Sequence, residues 1–428
     1  MSNLKVGAAK VSITPKKFLP IPFFSIPLFS LDFDGVYNDL NVRVLDIDSN
    51  GERILFVTFD MTIVPNPFET IKYVCDISGL DENHVFLAAT HTHTAPLIGG
   101  MDPNQTIDKT DKKLAKVLAW YEEIKKAIKT AIEQAAKNKQ PAKAGFGKGK
   151  SFINVCRDEV RGDKAVMGVN FERNSDKTLK VLKFVNMKDE PIAFIVNYAV
   201  HATITNGSHE NGKIKICSDL PGTACDIVEE KYKKAVCLWT SGAAGDQNPV
   251  YSTQFPDPDE KDFRKVPNLG DKCYVVLEYL AKTHARNIFE TEQNIVCNEI
   301  NPKLTVQKTT VSCEGRTPEN IIALAKMFHK EVPHPADVKY SLRLVTLGDT
   351  AIQGISGEIV TSIGAAATSV SPYENTMLIT QADYYTGYVP DDWEYEHNAF
   401  EAEGATVAKG AAQPAFVEGF KKLYSNLK

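Results

Sequence analysis

The sequence predicts an α/β protein, a mixed-sheet α/β sandwich forming one domain over residues 1–428, with a metal site at strand ends. Three observations predict it. β-branched and aromatic runs bounded by turn residues alternate with segments of helical periodicity over most of the 428 residues. No internal repeat, low-complexity linker or break in composition divides the chain. Several apolar runs end abruptly in polar residues that are useless for packing, and sites in α/β folds gather at such ends.

Taken in order, residues 53–59 and 85–89 read as strands, with a helix at 67–77 between them. A long amphipathic helix is expected at 112–137, and the lysines clustered between Lys109 and Lys150 fit its wet face. Strands follow at 181–185, 192–200 and 235–239, with helices at 221–233 and 270–293. Residues 303–312, 340–347 and 351–355 add strands around a helix near 318–330. Residues 18–29 carry three prolines, which forbid a continuous helix, so they read as an extended apolar loop over the core or along a pocket. The segment 247–270, rich in Pro, Asp and Lys, reads as a long loop, either a surface insertion or part of the site.

Composition narrows the function classes. The chain is 43% hydrophobic and 24% charged, with a net charge of −5 that argues against general nucleic-acid binding. The eight cysteines form no C-x-x-C pair and read as free, mostly buried thiols. No stretch approaches the ~20 apolar residues that span a bilayer, so no transmembrane segment is expected. The first residues lack a basic, then apolar, signal pattern, and a cytoplasmic location is expected.

The chemistry-bearing residues sit where apolar runs stop. Thr90-His91-Thr92-His93 follows residues 85–89, so two imidazoles leave a rigid element two residues apart and project the same way. His201 ends the run that starts at Ile192. Glu358 follows 351–355, beside Gly357, and Tyr384, Tyr385 and Tyr388 follow 376–380. Each alone also fits packing, as a core histidine, a helix-cap glutamate or a belt of half-buried tyrosines. Their recurrence at strand ends is what points to a site.

These segments, in this order, resemble the neutral/alkaline ceramidase family. Gly7-Ala8-Ala9-Lys10-Val11-Ser12-Ile13-Thr14-Pro15 looks like its first signature, and Thr90-His91-Thr92-His93 looks like its T-H-T-H-S-G-P motif. His201 matches its second histidine segment, and residues 241–249, Ser-Gly-Ala-Ala-Gly-Asp-Gln-Asn-Pro, resemble its G-D-V-S-P-N element. The resemblance implies one zinc ion held by His91, His201, Glu358 and Tyr388, and an active-site arginine at Arg157.

The residue types suit that chemistry. Zinc with two imidazoles, a carboxylate and an open position lowers the pKa of a bound water to about 7. His93 could then carry the proton for the leaving nitrogen, and the Arg157 fork could hold a carbonyl oxygen or a carboxylate. Asp246 is either a carboxylate that orients a ligand histidine or a turn aspartate after Gly245. The family serine is replaced by Asn248. With that change, and with the signal and C-terminal β-sandwich typical of the family not expected, the substrate is read as a small-molecule amide or acyl compound more compact or polar than long-chain ceramide, or as a cyclic amide or ester. The alternative is a catalytically silent member that binds metal or ligand only.

Overall fold

The computed structural model describes residues 2–22, 32–99, 112–254, 266–316 and 337–427. Eight strands form one mixed sheet in the spatial order Val236–Ser241, Pro191–Tyr198, Thr178–Asn186, Gln140–Lys150, Leu4–Ser12, Asn41–Ser49, Glu52–Phe59, Val85–Ala89. A second sheet of four follows the order Leu304–Glu314, Asp337–Leu347, Thr350–Ile355, Asn375–Thr380.

The two sheets pack face to face. Leu45, Ile47, Phe56, Phe86, Ile195 and Leu238 from the first share a core with Val345, Ile352, Met377 and Ile379 from the second. Helices cover both outer faces. Trp120, Ile124 and Ile128 of helix Lys112–Lys137 pack on Val42, Val57 and Leu87, and Leu220 and Leu277 of helices Asp219–Lys231 and Cys273–Glu292 pack on Val181, Val196 and Trp239. Phe416 and Phe420 of helix Ala412–Ser425 cover Leu342 and Leu344 on the far side. Strands buried on both faces read as continuous apolar runs, which is why Val85–Ala89 is apolar throughout.

Antiparallel pairing gives way to parallel pairing where a helix makes the crossover. Glu52–Phe59 joins Val85–Ala89 around helix Pro67–Ser78, and Pro191–Tyr198 joins Val236–Ser241 around helix Asp219–Lys231. Thr350–Ile355 joins Asn375–Thr380 around helix Thr361–Ser369. These units aim their carboxyl ends at one region.

The sequence reading missed the strands Leu4–Ser12, Asn41–Ser49 and Gln140–Lys150 and the hairpin Asn154–Arg161 with Lys164–Asn170. Buried charges hid the second of these. Arg43 and Asp46 interrupt its apolar pattern yet are wholly buried, because Arg43 pairs with Asp60, Asp226 and Glu229 and Asp46 with Arg53 and Lys139. Lys143, Lys148 and Lys150 lie on a strand and not on a helix. Part of the expected 247–270 loop is a strand too, since Gln247–Pro249 pairs with Asn154–Arg161. The helix expected near 318–330 lies outside the described residues, as do 23–29 of the apolar loop and 255–265 of the long one. All eight cysteines are free, and six are buried. No helix among the described residues is long and apolar enough to cross a membrane.

Candidate metal centre

The Val85–Ala89 strand sits at one edge of the large sheet, and the chain leaving it is held on both sides. Thr90 N–H donates to the Phe59 carbonyl and His91 N–H to that of Met61. His91 then takes a positive φ of 65°, a left-handed backbone that non-glycine residues seldom adopt. A bridge between Thr92 and Ala202 ties this segment to the one carrying His201, and His93 N–H donates to the Ala202 carbonyl. Two histidine segments over a hundred residues apart in sequence are thereby fixed side by side.

Glu358 and Tyr388 arrive from the second sheet as directly paired residues of a short parallel ladder, Glu358–Ile359 against Tyr388–Val389. Gly387, with φ of 93°, makes the turn that admits Tyr388, and its carbonyl accepts from Glu358 N–H.

The polar ends converge. His201 Nε2 lies 2.9 Å and His91 Nε2 3.2 Å from the same carboxylate oxygen, Oε2 of Glu358. His93 Nε2 lies 3.1 Å from His91 Nε2. Carbonyl oxygens only accept, so the opposite ring nitrogens must carry protons: His91 Nδ1 donates to the Thr62 carbonyl at 2.7 Å, and His201 Nδ1 to that of Ala244 at 2.6 Å. On neutral rings both Nε2 atoms are then bare lone pairs turned toward a carboxylate. Burial works against protonating His201 and brings it down to about 4. Acceptors facing acceptors in a dry site call for a cation between them, and imidazole, imidazole and carboxylate are ligands that suit zinc. The residues present fit that ion.

Burial alone would raise Glu358, whereas positive charge or N–H donation at His91 and His201 would hold the carboxyl well below its usual range, a role that a cation held among them would also fill. Tyr388 is pushed well up by burial and by Glu358, against Arg157. His93 is the most exposed of the three imidazoles, although burial and the neighbouring His91 and His201 hold it well below its ordinary value. Its ring nitrogen falls in the same cluster as those of His91 and His201, so distance does not by itself separate a ligand from a proton carrier there.

Arg157 comes from the Asn154–Arg161 strand, and its fork is engaged by the protein itself. Nε donates to Glu401 at 2.6 Å, Nη2 to the Tyr388 hydroxyl at 3.2 Å, and Nη1 to Asn248 Oδ1 at 3.4 Å. The carboxylate it grips is that of Glu401, which the sequence reading did not single out. Of the two roles left open for Asp246, orienting a ligand ring is not the one observed. Its carboxylate accepts from the backbone and hydroxyl of Thr361, both at 2.8 Å, and orients no ring, because the carbonyls of Ala244 and Gln247 take His201 Nδ1 instead. Tyr385, one of the three tyrosines expected after 376–380, also meets the site: its hydroxyl donates to Glu358, and its ring packs with Ile63 and Leu97.

Residues 34–263 match the family model described as neutral/alkaline non-lysosomal ceramidase, N-terminal; Glu358 and Tyr388 lie beyond the matched stretch. The chain is 29% identical over 175 residues to neutral ceramidase B of Dictyostelium discoideum, covering 38% of this chain and 23% of that one. It is 28% identical over 179 residues to neutral ceramidase of Pseudomonas aeruginosa, covering 39% and 25%. The chain thus spans about a quarter of the length of these relatives. The crystal structure of the Pseudomonas aeruginosa neutral ceramidase superposes on 99% of this chain and 74% of its own with a TM-score of 0.71 at 17% identity. A ceramidase complexed with C2 gives 0.72 over 100% and 76%, also at 17%. The fold is shared with these structures, and with more than half of its residues matched by the family model, the chain belongs to the neutral/alkaline non-lysosomal ceramidase family.

Proposed function

We propose that this protein is a zinc-dependent hydrolase of a non-peptide amide. The observation that carries the reading is the convergence on one oxygen of Glu358 of the Nε2 atoms of His91 and His201, whose Nδ1 atoms are committed to backbone carbonyls. His91, His201, Glu358 and Tyr388 would hold the ion, which when bound acts as a Lewis acid on the scissile carbonyl and lowers the pKa of water to about 7.

The protein's own residues do the rest. His91 and His201 are locked in one tautomer by the Thr62 and Ala244 carbonyls, so neither ring can turn away. Arg157 fixes the Tyr388 hydroxyl through Nη2. As the C–N bond breaks, the leaving nitrogen must gain a proton. His93, the most exposed of the three imidazoles, carries it at Nε2.

Substrate choice rests on Asn248. The carboxamide stands where family members carry a serine, and its Oδ1 is taken by Arg157. A site built for one hydrogen-bond pattern rejects another by a large factor. The substrate is therefore a compact or polar N-acyl compound, cyclic amide or lactone, and long-chain ceramide is a poor one. A panel of short N-acyl compounds, cyclic amides, lactones and long-chain ceramide, run with and without zinc, tests this. Zinc-dependent turnover of a compact substrate is expected. Ceramide turnover with kcat/KM at or above roughly 10⁴ M⁻¹s⁻¹, the lower end of ordinary enzymes, would overturn the substrate reading, and absence of any zinc-dependent hydrolysis would overturn the enzyme.

A further inference from the structure

Behind Arg157 lies a second cluster that the proposed reaction does not use. Asp158 on the Asn154–Arg161 strand, Glu394 on the helix Asp392–Glu396 and Glu401 on the helix Phe400–Gly404 are buried, with Glu394 and Glu401 at 0% exposure. One oxygen from each comes within 4.8 Å of the others. Their outer sides are satisfied, since Glu394 Oε2 accepts from Asp391 N–H in a capping box and Glu401 Oε1 accepts from Arg157. Glu394 Oε1 has no hydrogen-bond partner among the described residues, and Glu401 meets Asp158 carboxyl to carboxyl.

The neighbouring cations do not fill the gap. Arg173 stands 3.8 Å from Glu394 Oε1 and 3.9 Å from Asp158 Oδ2, beyond hydrogen-bond reach, and gives its 3.2 Å contact to Asp391. Arg157 donates to Oε1 of Glu401 and not to Oε2. Asp246 and Cys156 adjoin Asp158 and add no positive charge. Three buried carboxyl groups thus face one another with oxygen ligands only, Asp158 and Glu401 in contact and Glu394 Oε1 left without a hydrogen-bond donor among the described residues.

We propose that Asp158, Glu394 and Glu401 form a site for a hard divalent cation, calcium or magnesium, distinct from the histidine centre. Calcium takes carboxylate oxygens at about 2.3–2.6 Å, so two of its ligands stand up to about 5 Å apart, a span that covers the observed one. Oxygen ligands without sulfur or imidazole select this class of ion over zinc. Burial and the Glu401 carboxylate push Asp158 up to about 8, so the three groups do not carry their full charge unaided. The ion would clamp the strand that carries Arg157 to the two short helices that follow Tyr388.

The test is metal analysis of the full chain, purified without chelator and dialysed against metal-free buffer, then melting of chelator-treated protein with and without calcium or magnesium chloride. About one calcium or magnesium per chain is expected beyond whatever the histidines hold, with a rise in Tm of at least about 2 °C on adding the ion. Glu394→Gln keeps a side chain that can complete the capping box and should lose this ion and this rise while retaining metal at the histidines. Neither ion retained by the wild type and no shift in its Tm, or equal calcium and magnesium binding by the variant, overturns the site. The wild-type measurement decides the matter alone if the variant does not fold.

Discussion

Nη2 of Arg157 donates to the hydroxyl of Tyr388 across 3.2 Å, while the same guanidinium is anchored through Nε to Glu401. All three side chains are at most 4% exposed. The tyrosine oxygen is therefore placed by a charge that is itself held in place, and loosening the arginine must be felt at the histidines.

Arg157→Met should cost about 3–5 kcal/mol, because it leaves the Glu401 carboxylate buried without its partner. Arg157→Met combined with Glu401→Gln should recover a substantial part of that loss, which chemical denaturation of the wild type, both single variants and the double variant measures. Additive effects of the two substitutions would mean that the pair is not coupled.

The purified protein should carry about one zinc per chain at the histidine centre. His91→Ala with His201→Ala should remove it, Glu358→Gln should weaken it, and mass spectrometry of metals reads both. Unchanged zinc in the double variant would show that the ion sits elsewhere.

His93→Ala should keep the zinc and slow turnover by about 10²–10⁴, the usual size of a general acid–base contribution. Parallel metal content and single-turnover rates decide between roles. Loss of zinc together with activity would make His93 a ligand, which its 3.1 Å approach to His91 Nε2 permits.

His284 gives a pH prediction away from the site. It is fully buried, its Nδ1 meets Ser151 Oγ at 2.9 Å, and burial brings it down to about 3. The unfolded chain binds this proton near pH 6.5, whereas the native imidazole binds it only near 3, so the stabilising contribution is complete above 6.5 and is lost as pH falls toward 3. Between pH 6 and 4 the decline should approach about 1.4 kcal/mol per unit. His284→Gln should flatten that part of the profile in urea titrations; an unchanged slope would assign the acid loss to other groups.

Much of the fold could be read from patterns that packing enforces. The helix at 112–137 was read to the residue because its apolar positions must meet Val42, Val57 and Leu87 at helical spacing. The strands ending at Ala89 and Tyr198 were visible because burial on both faces makes 85–89 and 192–196 continuous apolar runs. Asn41–Ser49 was not, since the partners that make Arg43 and Asp46 tolerable are far away in sequence. Glu401 escaped for the same reason, since a lone glutamate shows its importance only when Arg157 is brought beside it. Asp246 stayed open between an orienting role and a turn, because the backbone carbonyls that orient His201 leave no trace in residue identity.

The short ladder that seats Glu358 beside Tyr388 sets a timetable as well as a geometry. Both histidine segments leave the ribosome well over a hundred residues ahead of it, and they meet each other through Thr92 and Ala202 without help from it. During synthesis the nitrogen half of the centre is thus assembled while its carboxylate and phenol do not yet exist. Tight capture of metal must wait until the second sheet has closed on the first, which makes metal retention a marker of completed chain folding.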